Sequence, residues 1–160
     1  MSDIEDRLSL VEKRLQEAED RLDILAVVAA YGPTIDGGAV EAAGSYWTED
    51  CVYDSDADEP LVGRQAIETL SARVGSLDMG VAHYFSLPVI TLDGDQAVAT
   101  GHSNTYHRED DRYVVARVSA NRWELERVDG RWQVSRRVNR VLDGTDTPRA
   151  LLRRGVEAPR

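Results

Sequence analysis

The chain has 160 residues, of which 42% are hydrophobic and 30% are charged, and this predicts one globular domain with a buried core. Its 29 acidic residues outnumber 19 basic residues, and the resulting net charge of −10 argues against a nucleic-acid partner. No apolar run reaches the ~20 residues of a membrane helix and no signal peptide opens the chain, so we expect a cytoplasmic protein without membrane contact.

The first 25 residues predict a long helix with a narrow apolar seam. Apolar residues recur there at alternating spacings of four and three, with charged residues between them: Ile4, Leu8, Val11, Leu15, Ala18, Leu22 and Leu25. Ser2 and Asp3 precede the seam as N-caps. The seam leaves two interpretations open, a helix that lies on its own domain and a helix that pairs with another subunit. We expect the helix to continue through Ile24–Tyr31 and to kink or end near Gly32-Pro33.

Shorter elements follow the first helix. The pattern predicts a second helix at Ala39–Trp47, a short strand at Cys51–Asp54, an acidic loop at Ser55–Glu59 and a helix at Gly63–Val74. Beyond residue 81 the hydrophobic period changes to that of strands.

Two hairpins are predicted in this second half. The strands are Ala82–Leu92 with Gln96–Arg108, joined by Asp93-Gly94-Asp95, and Tyr113–Val128 with Arg131–Val141, joined by Asp129-Gly130. Helices followed by long antiparallel strands predict an α+β fold in which a curved antiparallel sheet wraps around the helices. We therefore divide the chain into a helical extension at 1–21, a domain at 22–142, and a tail at 143–160 that is either a short closing segment or disordered.

The sequence gives little sign of a metal or cofactor site. The histidines are His83, His102 and His107, and no close ligand spacing such as His-x-His or Glu-x-x-His occurs. Cys51 is the single cysteine, so we expect an inert core thiol and no disulfide. Because no Gly-rich phosphate loop and no Gly-x-Ser-x-Gly elbow are present, we expect neither metal nor cofactor.

Asp36 is the acidic residue with the strongest claim to a chemical role. It follows an apolar helix and so points inward, where a carboxylate needs a partner. A histidine of the sheet would complete a general base. The alternative is that Asp36 caps the next helix through Gly37-Gly38, and spacing alone favours the cap.

A family resemblance favours the chemical role. The runs Val27–Asp36 (VVAAYGPTID), Tyr46–Asp54 (YWTEDCVYD), Val62–Ile67 (VGRQAI), Ala82–Tyr84 (AHY) and Val128–Val134 (VDGRWQV) resemble SnoaL-like proteins of the NTF2-like superfamily in order and spacing. The resemblance covers residues 20–142. It implies a cone-shaped α+β roll with one deep, mostly apolar pocket.

Within the superfamily the site residues resemble the scytalone dehydratase branch. The resemblance implies catalytic roles for Asp36, His83 and, by a looser match, Tyr31. It further implies a substrate-binding set: His107, Asn121, Ser119, Tyr53 and Asp54. Asp54 stands where that branch has a second pocket tyrosine, so we expect it to pair with an arginine or to have a raised pKa.

Strand alternation tests part of this assignment without the resemblance. Ser119, Asn121 and Trp123 share one face of their strand. On the preceding strand His107 shares a face with Ser103 and Thr105, whereas His102 points the other way. We therefore expect His107 inside the cavity and His102 at the surface.

The resemblance implies a lyase of the dehydratase type that removes a proton from a small apolar substrate, such as a cyclic, polyketide or steroid-like compound. One alternative is an isomerase resembling ketosteroid isomerase, with its base near Asp54. A polyketide cyclase and a non-catalytic ligand-binding module are the others. The seam and the relatives favour a homo-oligomer, either a dimer or a trimer.

Overall fold

The chain folds into an α+β domain in which helices cover one face of a curved, unclosed sheet. The computed structural model describes residues 2–56, 59–75, 77 and 80–157. Parts of the predicted acidic loop Ser55–Glu59 and of the tail 143–160, and the side chain of the predicted cap Ser2, lie outside the described residues.

Along the chain, two helices are followed by two strands, a third helix, five strands and a last helix. The helices are α1 (Ser2–Asp36), α2 (Val40–Ser45), α3 (Arg64–Gly75) and α4 (Asp146–Glu157). The strands are β1 (Trp47–Ser55), β2 (Leu61–Val62), β3 (Val81–Phe85), β4 (Val89–Asp93), β5 (Gln96–Glu109), β6 (Arg112–Val128) and β7 (Arg131–Val141). No helix among the residues placed by the structure is long and apolar enough to cross a membrane.

Helix α1 has an exposed N-terminal half and a buried C-terminal half. Seam residues of the first half are largely exposed, among them Ile4 at 71% and Leu15 at 57%. The interpretation that this half lies on its own domain is therefore wrong. The second half buries one face in the core through Ile24, Val27, Val28, Tyr31 and Ile35.

Of the two outcomes expected near Gly32-Pro33, a kink or an end of α1, the end is wrong, because the helix continues to Asp36. A proline removes one backbone donor, but in the last turn of a helix this costs a single hydrogen bond. Packing outweighs that loss, since Tyr31 and Ile35 on either side of Pro33 are both buried.

The sheet is mixed rather than purely antiparallel. Its order is β2-β1-β7-β6-β5-β3, with β4 also paired to β5, and β1 runs parallel to β7. The predicted strand Ala82–Leu92 is broken into β3 and β4, because the segment between them contains Pro88, which cannot donate to a ladder. Both hairpin turns are confirmed, and Asp129 and Gly130 take the positive φ values, 49° and 77°, of a tight turn between β6 and β7.

The tail, predicted as a closing segment or disordered, contains helix α4, which packs on the sheet. Gly155 permits this contact, because a Cβ there would lie 2.3 Å from the Cβ of Thr100 on β5. The opposite face of the sheet carries the aromatic core around Tyr31, Trp47 and Trp123, whose rings are 5.5 to 6.3 Å apart. That aromatic core borders the site described next.

Candidate active site

Asp36, the last residue of α1, contacts His83 of β3 through both carboxylate oxygens. Oδ2 of Asp36 accepts a hydrogen bond of 2.7 Å from the backbone N–H of His83, and Oδ1 contacts Nδ1 of the same ring. One carboxylate therefore fixes both the backbone and the imidazole of His83. The alternative role is not observed, since Ala39 is the N-cap of α2 and no side chain caps that helix.

Gly32 lets the two elements approach closely enough for this contact. A Cβ at Gly32 would lie 2.5 Å from the carbonyl oxygen of His83, so any larger residue would push α1 away from β3. Asp36 follows Gly32 by four residues, which places both on the same face of the helix. Glycine inside a helix costs about 1 kcal/mol relative to alanine, and the close approach accounts for its use here.

The ring of His83 borders a cavity of about 340 Å³ between the helices and the sheet. This volume is at the small end of the range found for ligand pockets, about 300–1,000 Å³. Apolar side chains form part of the wall: Ile35, Leu61, Leu70 and Val74. The hydroxyl-bearing rings of Tyr31 and Tyr53 form another part, with their centroids 6.5 Å apart. Burial raises the pKa of Tyr31, which keeps its hydroxyl protonated.

Arg137 of β7 also forms part of this wall, although the sequence analysis did not single it out. The residue is only 2% exposed. Its guanidinium carbon lies 4.3 to 5.2 Å from the centroids of four rings, which we call the aromatic cage: Tyr31, Trp123, Tyr53 and Phe85. Such contacts stabilise a cation through the negative faces of the rings.

A β-bulge determines that Arg137, and not Arg136, is buried. Leu125 pairs with Val134 and Glu124 pairs with Arg136, so Ser135 is an extra residue in β7. Trp132 and Val134 face the core before the bulge, and Arg137 and Asn139 face it afterwards. Strict alternation would instead have continued through Arg136 and Val138, and the apolar Val138 gives no warning of the change. This explains why a sequence pattern misses Arg137.

Asn121 and Ser119 lie in the layer beneath the cavity, where they position arginines. Oδ1 of Asn121 accepts hydrogen bonds from Nε and Nη2 of Arg137, at 3.0 and 2.7 Å. Ser119 accepts a bond of 3.0 Å from Nε of Arg117, which lines the cavity. Arg117 is also paired with Asp56. Partial burial opposes ionisation of Asp56, but its hydrogen bonds outweigh that effect and hold its pKa below the usual value.

Four of the predicted substrate-binding residues do not line the cavity: Asn121 and Ser119, which lie beneath it, and Asp54 and His107. Asp54 alternates with Tyr53 and therefore faces the other side of β1, where it pairs with Arg136 at 3.1 Å and Arg140 at 2.8 Å. The pairing of Asp54 with an arginine is as expected. The prediction that Asp54 lines the pocket is wrong, because its side chain lies on the opposite face of the sheet. His107 lies near the end of β5 and is half-buried, and it does not line the cavity.

The described residues do not form a cluster of side chains that could hold a metal ion. Among residues 2–56, 59–75, 77 and 80–157, no cluster of three or more His, Cys, Asp or Glu side chains is placed to hold an ion. His102 is exposed on the far side of β5, as alternation predicts. Among the described residues that line the cavity, His83 is the one with an imidazole side chain, which can accept or donate a proton.

Comparison with known proteins identifies the family of this site. The sequence profile of the SnoaL-like domain matches residues 16–138. An NTF2-like protein with a cystatin-like fold from Novosphingobium aromaticivorans is 37% identical, with a TM-score of 0.85 over 91% of this chain and 96% of that chain. No protein of curated function matches.

Two further solved structures share the fold at lower identity. A protein of unknown function from Mycobacterium tuberculosis is 23% identical, with a TM-score of 0.71 over 87% of this chain and 79% of that chain. A protein from Novosphingobium aromaticivorans named "Putative Scytalone Dehydratase" is 22% identical, with a TM-score of 0.65 over 88% of each chain. At these identities the two likenesses support the fold alone.

Proposed function

The chain belongs to the SnoaL-like domain family, and we propose that it is a cofactor-independent lyase in which His83, oriented by Asp36, removes a proton from a small organic substrate. The observation that carries the proposal is the Asp36–His83 pair at the wall of an open cavity. A cavity filled by side chains would instead have favoured a scaffold without activity.

The base function follows from the hydrogen bonds of the pair. An ionised carboxylate cannot donate, so Nδ1 of His83 carries the hydrogen when the ring is neutral. Nε2 is then the basic nitrogen. When Nε2 takes a proton from carbon, the charge of Asp36 stabilises the imidazolium. General-base catalysis of this kind contributes about 10²–10⁴-fold to a rate.

The elimination is balanced by loss of water. The carbon–hydrogen bond breaks toward His83, a carbon–carbon double bond forms, and the carbon–oxygen bond of a β-hydroxyl breaks. The proton gained by His83 equals the one needed to release hydroxide as water. The hydroxyl of Tyr31, kept protonated by its raised pKa, is suited to donate a hydrogen bond to the leaving oxygen.

The comparisons agree with this proposal at the level of the fold. One solved neighbour is named as a dehydratase, and its identity of 22% supports only a common fold. The isomerase alternative loses its proposed base, because Asp54 faces away from the cavity. A polyketide cyclase would use the same proton transfer at His83, so the choice between cyclase and lyase depends on the product.

The test is a screen of β-hydroxy carbonyl compounds, in which formation of the conjugated product is detected by its ultraviolet absorbance. We expect His83→Ala to abolish turnover while the protein keeps its fold by circular dichroism. His102→Ala is the matched control, because His102 is exposed and lies outside the cavity. Turnover retained in His83→Ala, or lost equally in His102→Ala, would contradict the proposal.

We also propose that the protein forms a homo-oligomer through α1. The exposed half of that helix carries a heptad seam with no partner within the described part of the chain. A dimer or trimer would bury this seam between protomers.

A cytoplasmic location stays a prediction from the sequence.

A further inference from the structure

We propose that the cavity selects an organic anion, and that Arg137 is the residue that selects it. The substrate would have an apolar body and one carboxylate or comparable anionic group. This inference rests on the proposed function only in taking the cavity as the substrate site. It adds the charge of the substrate, which neither the sequence pattern nor the family match assigns.

The first support is a buried charge without an opposite charge. Arg137 is 2% exposed, and its guanidinium donates two hydrogen bonds to the neutral amide of Asn121. In the part of the chain that the structure describes, no carboxylate lies within ion-pair distance of it. Other arginines of the sheet do have such partners, for example Arg136 and Arg140 with Asp54.

The second support is an unused donor. Asn121 accepts from Nε and Nη2, which leaves Nη1 as a buried nitrogen with no hydrogen-bond partner. Native proteins rarely leave a buried polar atom in this state, so Nη1 of Arg137 requires an explanation, and a bound anion at the cavity wall supplies one. The guanidinium attracts an anion through its charge, and Nη1 is the donor that remains for a hydrogen bond with it.

The third support is the balance of charge around the cavity. Arg73, Arg117 and Arg137 line it, together with the carboxylate of Glu59. Arg117 is neutralised by Asp56, and the charge of Asp36 is directed at His83. Among the described residues Arg137 has no carboxylate within ion-pair distance, and at short range in a partly desolvated site such a charge attracts an anion strongly.

The test compares 2-naphthoate with its neutral isostere 2-naphthamide. Both have the same apolar body, and their binding is measured by quenching of tryptophan fluorescence, since Trp123 belongs to the cage. At pH 7.5 we expect naphthoate to bind at least about tenfold more tightly than naphthamide. In Arg137→Met, which keeps the volume, we expect the preference to fall within about twofold.

Arg136→Met is the matched control, because it removes the same charge from the neighbouring position on the outer face. We expect it to keep the preference for naphthoate. Equal affinity for the two probes in the wild type, binding of neither, or a preference that survives Arg137→Met would overturn the proposal. Should Arg137→Met not fold, a crystal structure of the wild type with naphthoate decides the case. The carboxylate beside the Arg137 wall supports the proposal, and a carboxylate directed elsewhere overturns it.

This experiment measures binding without turnover. The proposed lyase activity can therefore fail while the preference for an anion holds, and the reverse outcome is equally visible.

Discussion

Replacing Asp36 by asparagine isolates the charge of the pair from its shape. The carboxylate accepts from two donors on His83, the backbone N–H at 2.7 Å and the ring Nδ1. Asparagine has one acceptor oxygen, and if that oxygen keeps the backbone bond, the amide N–H₂ group faces Nδ1. The amide then donates to the ring, which moves the ring hydrogen to Nε2. A ring with hydrogen on Nε2 has no free base toward the cavity.

The size of the effect follows from this change of tautomer. The same substitution in a Ser-His-Asp triad lowers kcat by about 10⁴ for the same reason. General-base catalysis in other enzymes contributes about 10²–10⁴-fold to the rate, and the lower end of this range sets the lower bound for the loss. We expect a loss of kcat between these limits. We also expect a loss of stability of about 1–3 kcal/mol, because a charge-assisted hydrogen bond is weakened.

The assay is turnover of any substrate that the screen yields, together with nitrogen-15 chemical shifts of the His83 ring. The shifts report the tautomer directly and need no substrate. Asp54→Asn is the matched control, because it makes the same chemical change on the outer face, where the partners are arginines. Near-wild-type turnover, or an unchanged ring tautomer, would refute the argument.

Three further predictions test other parts of the structure. Gly32→Ala should lower both stability and turnover, measured by thermal unfolding and kinetics, because its Cβ would lie 2.5 Å from a carbonyl oxygen of β3; an unchanged melting temperature and kcat would contradict this. Burial raises the pKa of Cys51 to about 11, so iodoacetamide should not label the folded protein at pH 8; rapid labelling would show an accessible thiol. Leu8→Glu with Leu15→Glu should lower the assembly state in light scattering, since both residues are exposed within the protomer; a wild-type particle of 17.8 kDa would disprove the intersubunit helix.

The sequence predicts the strands of the second half well because their signals are local. Strand β7 has the predicted bounds, Arg131–Val141, since a two-residue turn and regular alternation both mark it. The helices are predicted less well. Helix α1 continues past Pro33 because its last turn packs in the core, and α4 packs on β5 through the close contact of Gly155 with Thr100. A local sequence pattern shows neither of these tertiary contacts.

The site divides in the same way. Asp36 and His83 could be paired from the resemblance, and the structure places them in contact. Tyr31 and Tyr53 line the cavity as well. Arg137 could not be found, because its orientation depends on a bulge that changes the pairing between two strands.

The extra residue at Ser135 has a consequence for how relatives of this chain are compared. In an alignment, columns are matched by residue type. The face of the sheet toward which a side chain points depends instead on the number of residues since the last irregularity in the strand. A homologue lacking that one residue would alternate regularly after Val134, and the side chain aligned with Arg137 would still lie opposite Trp123 in the core. Gain or loss of the extra residue therefore changes the sequence spacing between Val134 and Arg137 and leaves the same side chain in the pocket.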